Sequence, residues 1–156
     1  MDGVVKCQAQ CCLHKSRNII SNKAVMDGGN SYHPDCYKFN KNLHKIQEIW
    51  KSKIDSKYSS TELVRVVKSL VLNKKIDSEM VLYGVRYYVN NKIPLRYPQG
   101  LNYVVTNREV IDGFNRLKES RVTKLKIKIT LEDDPLEPSY TYTPIKEKGI
   151  GDIFDN

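Results

Sequence analysis

All four cysteines and two of the three histidines fall in the first 36 residues, in two clusters: Cys7, Cys11, Cys12 and His14, then His33-Pro34-Asp35-Cys36. No other feature constrains the fold as strongly. Two short ligand clusters about 20 residues apart are how Zn²⁺ collects four soft or borderline donors at tetrahedral corners, clipping together turns that are remote in sequence. Between them, Asp27-Gly28-Gly29-Asn30 carries hairpin-turn chemistry, and Val25, Met26 and Tyr32 are placed to form the flanking strands. His33-x-x-Cys36 leads directly into a helical pattern, so the second pair sits at a helix N-terminus, where the positive end of the macrodipole favours a thiolate.

The expected ligand set is Cys7, Cys12, His33 and Cys36, with Val4-Val5-Lys6 as the strand that delivers the first donor. Cys11 in place of Cys12 competes closely, and Cys11, His14, His33 and Cys36 form a third set. Four protein donors leave no open coordination position, which makes the expected zinc structural, not catalytic. The knuckle, hairpin and helix over residues 4 to 54 resemble the first half of a LIM domain and, more broadly, treble-clef zinc fingers. The first cluster departs from that pattern. A regular knuckle has two residues between ligands, whereas three separate Cys7 from Cys11 and four separate it from Cys12; only Cys11-x-x-His14 keeps the regular gap.

After the finger the pattern turns helical. Phe39, Leu43, Ile46, Ile49, Trp50 and Ile54 follow the stripe of an amphipathic helix. Ser59-Ser60-Thr61-Glu62 is a capping box that opens a second helix running to about Asn73, and Asp77 or Ser78 opens a third that closes at Asn90-Asn91-Lys92. Residues 93–100 contain two prolines and Gly100 and read as an extended loop and turn. Leu101 to Val105 forms a short helix, and Asn107 caps a last one over 107–119. Leu125, Ile127, Ile129 and Leu131 alternate with Lys124, Lys126, Lys128 and Thr130, the period of a half-buried strand. The expected architecture is therefore mainly α: a zinc module (1–45) of hairpin plus helix, a helical body (46–120), one β-strand (121–131) and an acidic disordered tail (132–156).

Charge divides the chain sharply. The net charge is +8, but residues 132–156 carry −5 and residues 1–131 carry +13. A field of that sign points to DNA or an acidic protein surface as partner. Lys38, Lys41 and Lys45 on the first helix, with Arg96, Tyr97 and Arg108 in the body, are the candidate nucleic-acid contacts, since tyrosines beside cations can stack bases while the charges hold phosphate. At the other end, Ile150, Asp152, Ile153 and Phe154 set apolar anchors among acids. That tip resembles linear motifs that dock on a basic apolar pocket, such as the acidic C-terminal tip of single-stranded DNA-binding proteins.

No phosphate-binding glycine loop, nucleophile elbow, His-Glu-x-x-His or dinucleotide fingerprint is present, so the chain reads as a non-enzyme. The opening residues lack a secretory signal, no run reaches the roughly 18 apolar residues of a spanning helix, and clustered thiols fit a reducing compartment. Cytoplasm without membrane attachment is the expectation. The finger ending in His-x-Asp-Cys-Tyr, the body motif Tyr-Pro-x-Gly-Leu-x-Tyr and the acidic tip together resemble uncharacterised zinc-finger proteins of phages infecting Gram-positive bacteria. That resemblance implies an accessory or regulatory role in replication, transcription or host takeover. The alternatives are a protein-binding inhibitor of a host machine, such as RNA polymerase or a defence nuclease, and a treble-clef nuclease.

Overall fold

The computed structural model describes residues 3–132. Four three-residue strands come first: β1 (Val4–Lys6), β2 (Asn18–Ile20), β3 (Val25–Asp27) and β4 (Asn30–Tyr32). They form two antiparallel ribbons, β1 with β2 (Val5 opposite Ile19) and β3 with β4 (Met26 opposite Ser31). The β3–β4 turn needs left-handed backbone at both central residues, and Gly28 (φ 56°) and Gly29 (φ 80°) supply it. The expected hairpin is therefore present. Its companion ribbon has a second strand, Asn18–Ile20, that the alternation rule is too short-sighted to detect in three residues.

The helices follow: α1 (Pro34–Ile49), α2 (Ser60–Leu72), α3 (Ser78–Asn90), α4 (Leu101–Val104) and α5 (Arg108–Glu132). Their starts match the capping residues. Ser59 Oγ accepts the Glu62 N–H at 3.3 Å, Asp77 accepts the Glu79 N–H at 2.9 Å, and Asn107 accepts the Glu109 N–H at 2.9 Å. The Glu62 carboxylate, expected to reach back to the cap, instead accepts from Gln99 and pins the loop before α4. α1 ends in one π-helical turn, Trp50–Ile54, closed by Asp55 N–H to Trp50 C=O at 2.9 Å.

One apolar core joins α1 to α4. Phe39, Ile46, Trp50, Leu63, Val67, Val81, Val85, Leu101 and Val104 are all at most 1% exposed. Gly84 lets α3 approach α4 closely: a Cβ there would lie 2.4 Å from Val104 Cγ1. A second, smaller cluster of Cys7, Ala9, Ile19 and Cys36 belongs to the finger. The helix α1 serves both, with Cys36 in its first turn and Trp50 just past its end.

The expected strand at 121–131 is wrong. Those residues continue α5, which runs without a break to Glu132. A single strand leaves its backbone groups unpaired, whereas a helix satisfies them locally. No Gly or Pro interrupts the sequence between Phe114 and Glu132, so nothing stops the helix where the alternation begins. Residues two apart then point to opposite sides of the helix, and Val122, Leu125 and Ile127 are 51%, 60% and 55% exposed. By internal contacts the chain divides after Glu119, with residues 120–132 belonging to a second unit. The expected tail and its tip residues Ile150, Asp152, Ile153 and Phe154 lie outside the described residues.

Asp77 gives a test of the α3 boundary. Burial raises its pKa, but the Glu79 N–H and the Lys38 ammonium, 3.1 Å away, outweigh it and hold the carboxyl below the usual value. A depressed carboxylate pKa contributes stability above the unfolded value near ~3.9 and loses it as pH falls through the folded value. Asp77→Ala should lower stability by about 1 kcal/mol at neutral pH. Its deficit should shrink below about pH 4 in urea titrations run across pH; a deficit independent of pH would show that the charge contributes nothing.

Candidate metal centre

Each donor of the candidate centre is positioned by a different local device. Cys7 directly follows β1, where its N–H donates to Arg17 C=O at 2.7 Å. Gln8 N–H to Ser31 C=O (2.8 Å) and Ser31 Oγ to Lys6 C=O (2.7 Å) lock β1 against β4. His33 is the residue before α1 and has extended backbone, while Pro34 supplies the first helical position, where a missing N–H costs nothing. Cys36, fully buried, is in the first turn of α1. Cys12 comes from the loop between β1 and β2.

The four side chains converge. One donor atom from each of Cys7, Cys12, His33 and Cys36 lies within 4.8 Å of the other three. Cys12 Sγ and Cys36 Sγ are 3.8 Å apart, and His33 Nδ1 is 3.7 Å from each. Tetrahedral zinc with bonds of about 2.3 Å to sulfur and about 2.1 Å to nitrogen requires edges of about 3.8 Å between sulfurs and about 3.6 Å between sulfur and nitrogen. The donor set, and the three edges among Cys12, His33 and Cys36, therefore fit a tetrahedral cation that Cys7, Cys12 and Cys36 would hold as thiolates and His33 through Nδ1.

Sulfur electrostatics in the cluster are tense. Burial pushes the Cys36 thiol up to about 12, with the Leu13 N–H (3.3 Å from Sγ) pulling it down and Cys12 and Asp35 pushing it further up. For Cys7 burial also raises the pKa, but hydrogen bonds from the His33 and Ala9 backbones and from the Cys12 and Cys36 side chains hold it below the usual thiol value. A divalent cation would offset that burial cost, because it supplies the positive charge that lets a buried thiol deprotonate.

Asn40, whose neutral amide is not a zinc donor and which was not anticipated, chooses between the adjacent cysteines. Its side-chain amide accepts from Cys11 N–H (3.2 Å) and donates to Cys11 C=O (2.8 Å) and Cys36 C=O (2.9 Å). Cys11 is thereby held at α1 with its side chain against the helical core, and Cys12 joins the finger cluster. The signal in the sequence was the position of Asn40 one turn after Cys36. His14 stands outside the four: its ring lies 4.0 Å from that of His33, and its Nε2 is 2.7 and 2.9 Å from the Asp35 carboxylate. Burial raises the pKa of Asp35, but His14 and the Cys36 N–H hold it low.

The candidate nucleic-acid residues are not one surface. Lys38 pairs with Asp77 (3.1 Å) and Glu79 (3.7 Å), tying α1 to α3. Lys41 lies over the Tyr37 ring at 5.7 Å and, with Lys45 and His44, lines a groove of about 470 Å³ that also contains Asp27 and Glu48. His44 is itself 3.3 Å from Glu48. Arg96 and Tyr97 are exposed on the loop between α3 and α4. Arg108 is 94% exposed and 3.8 Å from Asp112. No helix among the described residues is long and apolar enough to cross a membrane.

The finger is thus a β-ribbon and helix bearing a Cys/His cluster, the arrangement of a zinc finger. No family model, curated protein or solved structure matches the chain.

Proposed function

We propose that the protein is a non-enzymatic, zinc-stabilised regulator or accessory protein that works on nucleic acid, with its C-terminal tip docking a protein partner. Zinc is the metal because three thiolates and an imidazole at tetrahedral spacing are its preferred structural set. The observation that carries the reading is the pairing of a four-donor centre, which leaves no position for water or substrate, with a net charge of +13 on residues 1–131. What the centre does is hold α1 and the ribbons together. What acts on a partner is then the basic surface, and a field of this sign selects polyanions. An accessory role in replication or transcription agrees with the resemblance of its motifs to phage zinc-finger proteins.

Fluorescence anisotropy with labelled DNA across a salt series tests this. Binding should weaken linearly in log salt, by about 0.7 to 0.9 log units per phosphate contacted for each tenfold increase. No binding of any nucleic acid at low salt would overturn the reading and leave an inhibitor that docks on a protein as the better account.

A further inference from the structure

The loop between α3 and α4 and the helix α4 that follows it each expose an aromatic ring that no part of the core needs. Tyr97 is 70% and Tyr103 77% exposed, well beyond the hydroxyl-at-the-rim burial expected of a packing tyrosine. Two shallow grooves of about 400 and 440 Å³ adjoin there, sharing Tyr88, Pro94, Leu95 and Arg96. One carries Lys53 and Lys92, the other Tyr97 and Tyr103. The cations come from three separate parts of the chain: Lys53 from the π-helical turn, Lys92 from just past the end of α3, and Arg96 from the loop. Among the described residues no Asp or Glu lines either groove, and none of the three cations has an ion pair. The groove beside the finger differs, because there Asp27 and Glu48 offset Lys41 and Lys45.

The scaffold beneath is fixed. The Tyr88 hydroxyl is held by Asn107 Nδ2 at 3.2 Å, Asn102 caps the Gln99 carbonyl at 3.0 Å, and Lys74 holds Asn102 at 2.7 Å. Lys92 is placed by backbone strain. Ile93 N–H to Tyr88 C=O (2.9 Å) and Lys92 N–H to Val89 C=O (3.2 Å) form a Schellman motif, whose left-handed residue is Lys92, at φ 56°. Glycine is the residue that position prefers. Lysine there strains the backbone and sets an ammonium at the groove.

From this juxtaposition we infer that the paired grooves bind single-stranded nucleic acid, with unstacked bases on Tyr97 and Tyr103 and phosphates on Lys53, Lys92 and Arg96. Exposed rings flanked by unpaired cations are the parts of a stacking platform, and a duplex hides the base faces that such rings would use. The inference rests on the nucleic-acid reading above and gives it an address and a strand preference.

The test is anisotropy of the full-length, zinc-loaded protein with labelled oligothymidylate and with a duplex, using Tyr97→Ala, Tyr103→Ala, Lys92→Gly and, as a charge-matched change on the finger, Lys23→Gln. Each tyrosine variant should weaken single-strand binding about tenfold. Lys92→Gly should lower the salt slope by about 0.7 while the thermal midpoint stays level or rises, because glycine relieves the left-handed strain. Loss of affinity in that variant therefore cannot come from unfolding. Lys23→Gln should bind as the parent does. If the parent binds and all three groove variants match it, or the duplex binds as tightly as the single strand, this site is wrong and the broader reading stands. If the parent binds no nucleic acid at all, the broader reading fails with it. Capture of an acidic apolar peptide by the groove, with no oligonucleotide bound, would also overturn the inference and make the groove a protein-docking site.

Discussion

Chelation should unfold the finger and leave the helical core standing. Purified protein should carry one zinc per chain, and a strong chelator should remove it with loss of the amide dispersion of β1 to β4. Structural zinc coordination is worth on the order of 10 kcal/mol. The finger's own cluster, Cys7, Ala9, Ile19 and Cys36, buries too little apolar surface to replace that. Trp50, fully buried in the core that α1 to α4 form, is the single tryptophan and reports on that core. Its emission should stay blue-shifted as the finger is lost. Cys12→Ser should abolish zinc binding, whereas Cys11→Ser should keep it, because Cys11 serves the site through its backbone bonds to Asn40. No zinc in the purified protein, with circular dichroism indifferent to chelator, would refute the centre. Zinc retained by the Cys12 variant and lost by the Cys11 variant would reverse the ligand choice.

The second large effect lies at Trp50. Trp50→Ala should lower stability by about 3 to 5 kcal/mol, since the side chain is fully enclosed in the main core and the packing around it cannot wholly collapse into its space. For a chain of this size that corresponds to a thermal midpoint about 10 °C lower. Trp50→Phe should cost much less. The indole Nε1 is buried with no hydrogen-bond partner among the described residues, so phenylalanine removes an unsatisfied donor as well as some volume. Chemical denaturation of both variants checks this: equal losses would mean that the indole N–H is satisfied after all.

Much of this molecule was legible because its devices are local. A Gly-Gly turn at 28 and 29 needs only its own backbone freedom, and Ser59, Asp77 and Asn107 cap helices whose first N–H groups lie two or three residues away. The ligand clusters were legible for a similar reason, since each donor pair sits on a turn of a few residues. Residues 121–131 misled because alternation records only which neighbours are apolar; it does not say whether a second strand exists to accept the backbone groups. Spacing favoured Cys12 over Cys11 only narrowly, because what separates them is Asn40, 29 residues from Cys11.

The sequence by itself determined the donor chemistry, the hairpin turn, the helix starts and the +13 against −5 division of charge, all properties of residue type and short-range geometry. Only the tertiary structure decided which cysteine joins the centre, that Lys38 is consumed in tying α1 to α3, and that Lys53, Lys92 and Arg96 meet beside Tyr97 and Tyr103. The reason is physical: caps and turns are satisfied within one or two turns of chain, whereas a charge becomes either a tether or a free contact according to what distant packing brings beside it.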